Sequence, residues 1–204
     1  MNIQTRLLLV TLHAIILFVV LPGYVQYGQA QPYSRQVGKL EGTDASSPFP
    51  QFGASVTVSA DGNTAVVGAP AEDAAWVFTR NSTGVWTQQG SKLVGAGAVG
   101  SAQQGSSVSI SGDGNTVLVG GPNDATGLGA AWVFTRSGGI WTQQGSKLVG
   151  TGAVFAARQG ASVSLSFDGN TAILGAPDDS VGGPGNTGAA WIFTRSAGVW
   201  MQQG

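Results

Sequence analysis

The sequence has no cysteine, a single histidine, His13, and few charged residues, which make up 9% of its 204 residues. Without cysteine the chain can form no disulfide, no cysteine–zinc site, no iron–sulfur cluster and no catalytic thiol. The formal net charge is −1, so no surplus of positive charge is present to neutralise phosphates, which argues against a nucleic-acid partner. Glycine is abundant instead, with 33 residues, about twice the usual share of about 7%.

The first thirty residues predict a signal peptide. Arg6 precedes an apolar run, Leu7–Leu21, which is shorter than the roughly 20 residues that span a bilayer and is typical of a secretory signal. Small residues before and at Ala30 predict cleavage after that residue. We therefore expect residues 1–30 to be a signal peptide, and the protein to be secreted or extracellular with no membrane span in the mature chain. The alternative is an uncleaved amino-terminal anchor. Removal of this segment also removes His13, which excludes a Ser-His-Asp triad and histidine metal sites.

Internal repeats dominate the rest of the sequence. One segment, with a DGN turn between two apolar runs, occurs three times: Ala54–Pro70, Ser106–Pro122 and Ala161–Pro177. A second segment, which begins with AAW, follows each of them: Ala74–Gly95, Ala130–Gly150 and Ala189–Gly204. The period in the fifties suits a four-stranded blade of kelch-like size.

Each repeat predicts four antiparallel strands. In the first repeat these are Ser55–Ser59, Thr64–Gly68, Ala75–Arg80 and Val85–Gln89, joined by connections short enough for antiparallel neighbours. The first strand alternates, which predicts half-burial with its valines inward, and the second is apolar on both faces, which predicts a central position. The sequence thus predicts an all-β, β-propeller-type array of about three blades, open or partial. The expected units are an amino-terminal outer strand and linker (31–50) and three blades (51–103, 104–158 and 159–204).

Tryptophans and glycines have structural roles in this interpretation. Two tryptophans per repeat, such as Trp76 and Trp86, are expected to pack between neighbouring sheets, and Trp132 of the middle repeat should have a blade on each side. Glycines at the ends of the two inner strands are expected to allow close approach of backbones at a crowded axis. These are Gly53, Gly68, Gly105, Gly120, Gly160 and Gly175.

The first repeat resembles an FG-GAP repeat, the blade unit of integrin-α-like β-propellers. The resemblance rests on Phe52-Gly53 and on Gly68-Ala69-Pro70, and the later repeats keep the glycine and the closing Gly-x-Pro but have Gln104 and Gln159 in place of the phenylalanine. It covers residues 51–204 and is similar to secreted variants of the family. The resemblance implies a secreted or cell-surface module for binding or adhesion.

Calcium binding, which the resemblance also implies, is not expected here. Calcium needs six to eight oxygen ligands, and the corresponding turns offer one carboxylate each, from Asp61, Asp113 and Asp168. Further acids lie in the loops after the prolines, which we expect to be solvated. Only the third loop, with adjacent acids and Asn186, offers weak binding of calcium. These acids are Glu72, Asp73, Asp124, Asp178 and Asp179. No cofactor and no metal site is therefore predicted.

The two ends of the repeat region are related in sequence. Residues 36–43 match residues 144–151 of the second repeat, so the mature chain begins with an isolated outer strand. That strand could complete the last repeat, which stops at Gly204 before the SKL of its counterparts. Propellers typically close with four to eight blades. Three blades indicate either a fragment or an open array whose exposed faces invite self-association.

The favoured function is non-catalytic binding of a protein or a glycan, because recognition usually lies in loops that vary on a constant scaffold. The variable loops are Ala71–Asp73, Asn123–Gly129 and Asp178–Gly188, where exposed substitutions should change stability by no more than about 0.5 kcal/mol. We expect no enzyme and no catalytic residues. The alternatives are a partial or degenerate propeller without independent function, or a carboxylate-based glycosidase, for which the non-repeating acids are Glu41, Glu72 and Asp179.

Overall fold

The computed structural model describes residues 38–154, 156–180, 185 and 187–204, all of which belong to one compact unit, Arg35–Gly204. The predicted signal peptide and its cleavage site lie outside the described residues. No helix in the described part of the chain is long and apolar enough to cross a membrane.

Three four-stranded antiparallel sheets make up the fold, one for each sequence repeat, which confirms the predicted propeller-type array of three blades. The strands pair in the order in which they follow along the chain. Blade 1 contains β1 (Ser55–Val58), β2 (Thr64–Ala69), β3 (Ala74–Arg80) and β4 (Trp86–Gln88). Blade 2 contains β5 (Ser107–Ile110), β6 (Thr116–Gly121), β7 (Ala130–Ser137) and β8 (Ile140–Gln143). Blade 3 contains β9 (Ser162–Leu165), β10 (Thr171–Ala176), β11 (Ala189–Ser196) and β12 (Val199–Gln203).

The connection between the two inner strands is fixed by its own side chains. Asp61 accepts hydrogen bonds from the Ser59 hydroxyl (2.5 Å) and from the Asn63 main-chain N–H (2.9 Å), and its second oxygen accepts from the Asn63 amide. Gly62 has φ +69°, a left-handed conformation that glycine adopts without a steric penalty. The same bonds recur at Asp113 and Asp168. These aspartates are therefore turn formers.

Consecutive blades stack face to face. We call the face of a blade that carries its first tryptophan the leading face, and the opposite face the trailing face. Val66 and Val77 on the trailing face of blade 1 form one buried cluster with Trp132 and Phe134 on the leading face of blade 2. A second cluster joins the trailing face of blade 2 to Trp191 and other residues on the leading face of blade 3. Within the described residues, only the middle blade has a neighbouring blade on each face.

Glycines at the crowded edge allow this stacking, and the predicted close approach of backbones is confirmed at Gly68, Gly105, Gly120 and Gly160. It is wrong for Gly53, where a Cβ would meet nothing within 4 Å, and for Gly175, where the nearest atoms belong to Ser162 of the same blade. A Cβ on Gly68 would overlap the carbonyl oxygen of Gly105, and a Cβ on Gly120 would overlap that of Gly160. The blades are also tied there by hydroxyl groups, since the Ser55 Oγ donates to the Gly105 carbonyl at 2.8 Å. The inner strands can thus approach more closely than any side chain would permit.

The two outer faces of the array depart from the prediction. Val56 and Val58 on the leading face of blade 1 are 69% and 57% exposed, although the alternation of β1 predicted that they point inward. No blade covers that face, and the opposite face, with Thr57, packs on blade 2. The trailing face of blade 3 is open in the same way, with Ile173 40% and Ile192 45% exposed. The alternation of apolar and polar residues along β1 was predicted correctly, but the face of β1 that is buried was not.

The segment that precedes each blade crosses its first tryptophan, and we call this segment the strap. The Trp132 indole N–H donates to the Ala96 carbonyl (2.9 Å) and that of Trp191 to the Thr151 carbonyl (2.8 Å). In blade 1 the strap comes from the amino-terminal segment, where Asp44 accepts from the Trp76 indole at 2.6 Å. The segment 38–47 thus occupies on blade 1 the position that the inter-blade connections occupy on blades 2 and 3.

Candidate functional site

The straps and the loops between the second and third strands lie at one end of the array, where they enclose a groove of about 490 Å³. A volume of this size lies in the usual range for ligand clefts, about 300–1,000 Å³. The strap before blade 2, the loop after β6 and the strap before blade 3 all contribute. We call this the strap groove, and its lining residues are Val99, Gly100, Ser101, Asn123, Thr126, Gly127, Ala156 and Arg158.

The loop after β6 has an unusual backbone. Ala125 (φ 50°) and Thr126 (φ 56°) are consecutive left-handed residues, and Gly127 follows with φ +95°. A β-branched residue such as threonine is an outlier in this region, and residues held this way cost of order 1–3 kcal/mol each. The loop after β2 has only one such residue, Asp73 (φ 51°). The strained backbone of blade 2 faces the groove through Thr126.

A buried ion pair holds this loop in place. Asp124 accepts the main-chain N–H of Val99 at 2.7 Å and pairs with the ammonium group of Lys147. Its side chain is 1% exposed. We predicted a solvated loop at this position, and that prediction is wrong, because the strap and a lysine from the end of the same blade enclose the carboxylate.

The same arrangement occurs in blade 1 with a longer acid. Glu72 accepts main-chain N–H bonds from Ser46 and Ser47 (both 2.7 Å) and pairs with Lys92, and its side chain is almost fully buried. The Lys92 ammonium and the Ser46 hydroxyl, both hydrogen-bonded to this carboxylate, lower the Glu72 pKa to about 2 from its usual 4.5. In blade 3 the buried Asp179 accepts the Val154 N–H at 2.7 Å. These acids anchor the straps.

Arg158 supplies the charge of the strap groove. Its guanidinium lies 3.3 Å from the Asp178 carboxylate, and its side chain is nearly half exposed. Its main-chain N–H donates to the Gly127 carbonyl at 2.8 Å, which ties the strap before blade 3 to the strained loop. The lining of the groove is mostly apolar, and its polar groups are the Arg158 cation, the Asn123 amide and the Ser101 and Thr126 hydroxyls.

The acids considered for catalysis are not brought together. Glu41 is exposed and pairs with Lys39 at 2.6 Å, whereas Glu72 and Asp179 are buried in the two terminal blades. No hydrogen bond joins any two of them in the described part of the chain. Among the residues that the structure describes, no group of three or more histidine, cysteine or acidic side chains could hold a metal ion. Asn186 and part of the loop Asp178–Gly188 lie outside the described residues.

Some of the groove residues were predicted from the sequence and others were not. The loop Asn123–Gly129 was predicted as a recognition loop, and Asn123, Thr126 and Gly127 do line the groove. Ser101, Ala156 and Arg158 were not predicted, because the straps that carry them were interpreted as connections. Trp132 is fully buried between blades 1 and 2, as predicted. Trp76 and Trp86 do not pack between two sheets, as was predicted, because Trp76 is buried under the amino-terminal strap and Trp86 is half-buried on the open face of blade 1. The outer tryptophans are half-buried, each under an arginine, as at Arg136 over Trp141 (5.2 Å to the ring centroid).

Comparisons with known proteins support the fold alone. No protein family and no curated protein matches the chain. Among solved structures, it is similar to a candidate 6-phosphogluconolactonase from Bacteroides uniformis, with 17% identity and a TM-score of 0.51, over 81% of this chain and 44% of that one. A second, from Bacteroides fragilis, has 15% identity and a TM-score of 0.50, over 72% of this chain and 36% of that one. Both are β-propeller-type proteins. The chain thus spans less than half the length of these neighbours and has a β-propeller-like fold.

Proposed function

We propose that the chain is a non-catalytic β-propeller repeat module, of FG-GAP type, that binds a protein or a glycan outside the cell. The observation that carries the proposal is the strap groove with its strained loop at Ala125 and Thr126. Backbone strain is concentrated at binding and catalytic sites, where the surrounding structure maintains it. The export signal expected in residues 1–30 places the proposed ligand outside the cell.

The polar groups at the groove can bind a glycan or a polar peptide, while its apolar lining can contact the carbon atoms of either ligand. Arg158 can donate hydrogen bonds from its exposed guanidinium, and guanidinium groups recognise carboxylates with two parallel bonds. Asn123 is exposed and can both donate and accept. The chemistry supports ligands with acidic and hydroxyl groups, such as acidic sugars or aspartate- and glutamate-containing segments.

Binding rather than catalysis is supported by how the acids are used. Glu72 and Asp124 each pair with a lysine and hold a strap, so neither carboxylate faces a substrate. The groove lining contains no histidine, carboxylate, thiol or lysine side chain, and its one ionisable group is the guanidinium of Arg158. General acid–base chemistry needs a group that exchanges a proton near the working pH, and the groove lining offers none.

The test is a binding screen with variants of the groove. The purified chain is immobilised and exposed to an array of acidic and neutral glycans and to a library of acidic peptides. We expect a retained ligand whose binding falls at least about tenfold in Arg158→Ala and in Asn123→Ala, as for loss of a charge-assisted or neutral hydrogen bond. Thr142→Ala, an exposed change on the outer strand β8, is the matched control. Equal binding by all three variants would contradict the proposed site, and no retained ligand would favour a degenerate propeller.

A further inference from the structure

The contact between consecutive blades is built twice from corresponding residues. Arg136 in blade 2 donates to Gln89 (2.9 Å) and Thr64 (3.3 Å) of blade 1, and the Trp141 indole donates to the same Gln89 oxygen (3.0 Å). In blade 3 the donors are Arg195 and Trp200, which bind Gln144 (3.0 Å each), and Arg195 also reaches Thr116 (3.4 Å). An arginine and a tryptophan on the leading face thus recognise a glutamine and a threonine on the trailing face.

Both halves of this contact are present, without a partner blade, on the two open faces. Arg80 and Trp86 occupy the arginine and tryptophan positions on the leading face of blade 1, and the Trp86 indole donates no hydrogen bond within the described residues. On the trailing face of blade 3 the corresponding glutamine and threonine are Gln203 and Thr171, which are both exposed. Gly175 corresponds to Gly68 and Gly120, but a Cβ there would meet only atoms of Ser162. The open faces are therefore complementary copies of a contact that already forms twice.

A buried carboxylate in blade 3 lacks the partner that its counterparts have. Asp124 pairs with Lys147 and Glu72 with Lys92, while one oxygen of the fully buried Asp179 has no hydrogen-bond partner. An unpaired buried carboxylate oxygen is costly. No described residue of blade 3 occupies the position of the lysine in the other two blades.

The amino-terminal strap carries the corresponding lysine. In the match of residues 36–43 to residues 144–151, Lys39 aligns with Lys147 and Leu40 with Leu148. Leu148 is the residue that pairs with the Ala131 backbone on the outer edge of its own blade and packs in the same cluster as Trp191 of the next. Leu40 already packs in the Trp76 cluster of blade 1, and the Lys39 ammonium is highly exposed.

We propose that two copies of this chain associate head to tail, with the trailing face of blade 3 of each copy stacked on the leading face of blade 1 of the other. Lys39 of one copy pairs with Asp179 of the other, and Leu40 extends the edge of that blade at Ala190, as Leu93 does at Ala75. Two copies supply six blades, within the four to eight of closed propellers. A head-to-tail contact that closes on itself forms a ring.

The first test is the mass in solution of the full purified chain, by size-exclusion chromatography with light scattering. We expect twice the chain mass of 20.6 kDa, or twice the mass found by mass spectrometry if the chain has been processed. Val58→Glu and Ile192→Glu each place a charge on one open face, and each should halve the mass. Both positions are solvent-exposed within one copy, so each variant should keep the far-UV circular dichroism of the parent.

Ile140→Glu is the matched control, because Ile140 stays 70% exposed although its blade is covered on both faces. It should leave the mass doubled. A monomeric parent would overturn the proposal. Loss of association in only one of Val58→Glu and Ile192→Glu would also overturn it, because that result indicates a symmetric contact in which both copies use the same face. Association that persists in both variants would also overturn it, since it would point to the apolar run Leu7–Leu21.

The lysine contact has its own measurement. Lys39→Ala should raise the dissociation constant of the pair of copies at least about tenfold, because it leaves the Asp179 carboxylate buried and unpaired. Glu41→Gln removes the neighbouring exposed charge and should change the constant by less than about twofold. Equal effects of the two substitutions would overturn the assignment of Lys39 to Asp179. Neither variant touches the strap groove, so ligand binding by the groove is tested separately.

Discussion

Replacement of Trp132 by alanine should destabilise the protein more than truncation of any exposed side chain in the middle blade. The indole is fully buried between blades 1 and 2 and donates to the Ala96 carbonyl. Gly95 lies directly on the ring, where a Cβ would overlap it. In the alanine variant, neither the strap nor the sheet can move into the space of the missing indole without disrupting the packing around it, so a cavity should remain.

The expected loss in the free energy of unfolding is about 3–5 kcal/mol, the usual range for a large-to-small change of a buried aromatic residue. About 1 kcal/mol of this is the indole hydrogen bond. Because repeat arrays depend on contacts between neighbouring units, the change should also uncouple blade 1 from blades 2 and 3. We therefore expect either a lower dependence of stability on denaturant or two separate transitions.

Guanidinium unfolding followed by far-UV circular dichroism at fixed protein concentration measures both effects. Trp86→Ala is the matched control, since Trp86 is the half-buried outer tryptophan on the open face of blade 1, and its loss should cost less than half as much. If Trp132→Ala unfolds within about 0.5 kcal/mol of the parent, the tryptophan does not hold the two blades together and the stacking described above is wrong.

Three further predictions concern the buried acids and the glycine edge. Ionised Glu72 should stabilise blade 1 fully above about pH 4.5, and this stabilisation should be lost as the pH falls toward 2. In Glu72→Gln the melting temperature should therefore depend less on pH between these two values than it does in the parent. Asp124→Ala should cost about 3–5 kcal/mol, and the added substitution Lys147→Met should recover part of it; no recovery would mean that the ion pair is incidental. Gly68→Ala should lower the free energy of unfolding by about 1–3 kcal/mol, and Gly175→Ala should lower it clearly less when the protein is dilute. Equal losses in the two variants would contradict the close approach of backbones at Gly68.

Local structure could be predicted from the sequence because its determinants are local. The Asp61 carboxylate and the Ser59 hydroxyl bind groups within three positions of Asp61, so the local sequence contains the hydrogen bonds that form the turn. The strand pattern between Thr64 and Arg80 was predicted with its ends correct to one residue. The core role of Trp132 was predicted from its recurrence in each repeat and is confirmed.

The strap groove and the buried acids could not be predicted in the same way, because the partners of the acids lie 20 to 26 residues away. Asp124 meets Val99, 25 residues before it, and Lys147, 23 residues after it. A signal was nevertheless present in the sequence. Each repeat has an acid in its variable loop, and two of the three have a lysine at a fixed place after QQGS. A charged residue that recurs in a chain with so few charges is better explained by a specific partner than by solvation.

Burial in a repeat array depends on the position of the repeat as well as on its sequence. Val56 and Val108 occupy the same place in matching strands, yet the first is exposed and the second packs against the cluster between blades 1 and 2. Terminal repeats of soluble arrays usually present a polar outer face. Here the outer face of blade 1 keeps Arg80 and Trp86, and that of blade 3 keeps Ile192 and Gln203, all residue types that the internal contacts use. These shared residue types are the reason for our proposal that the two outer faces cover each other in a pair of copies.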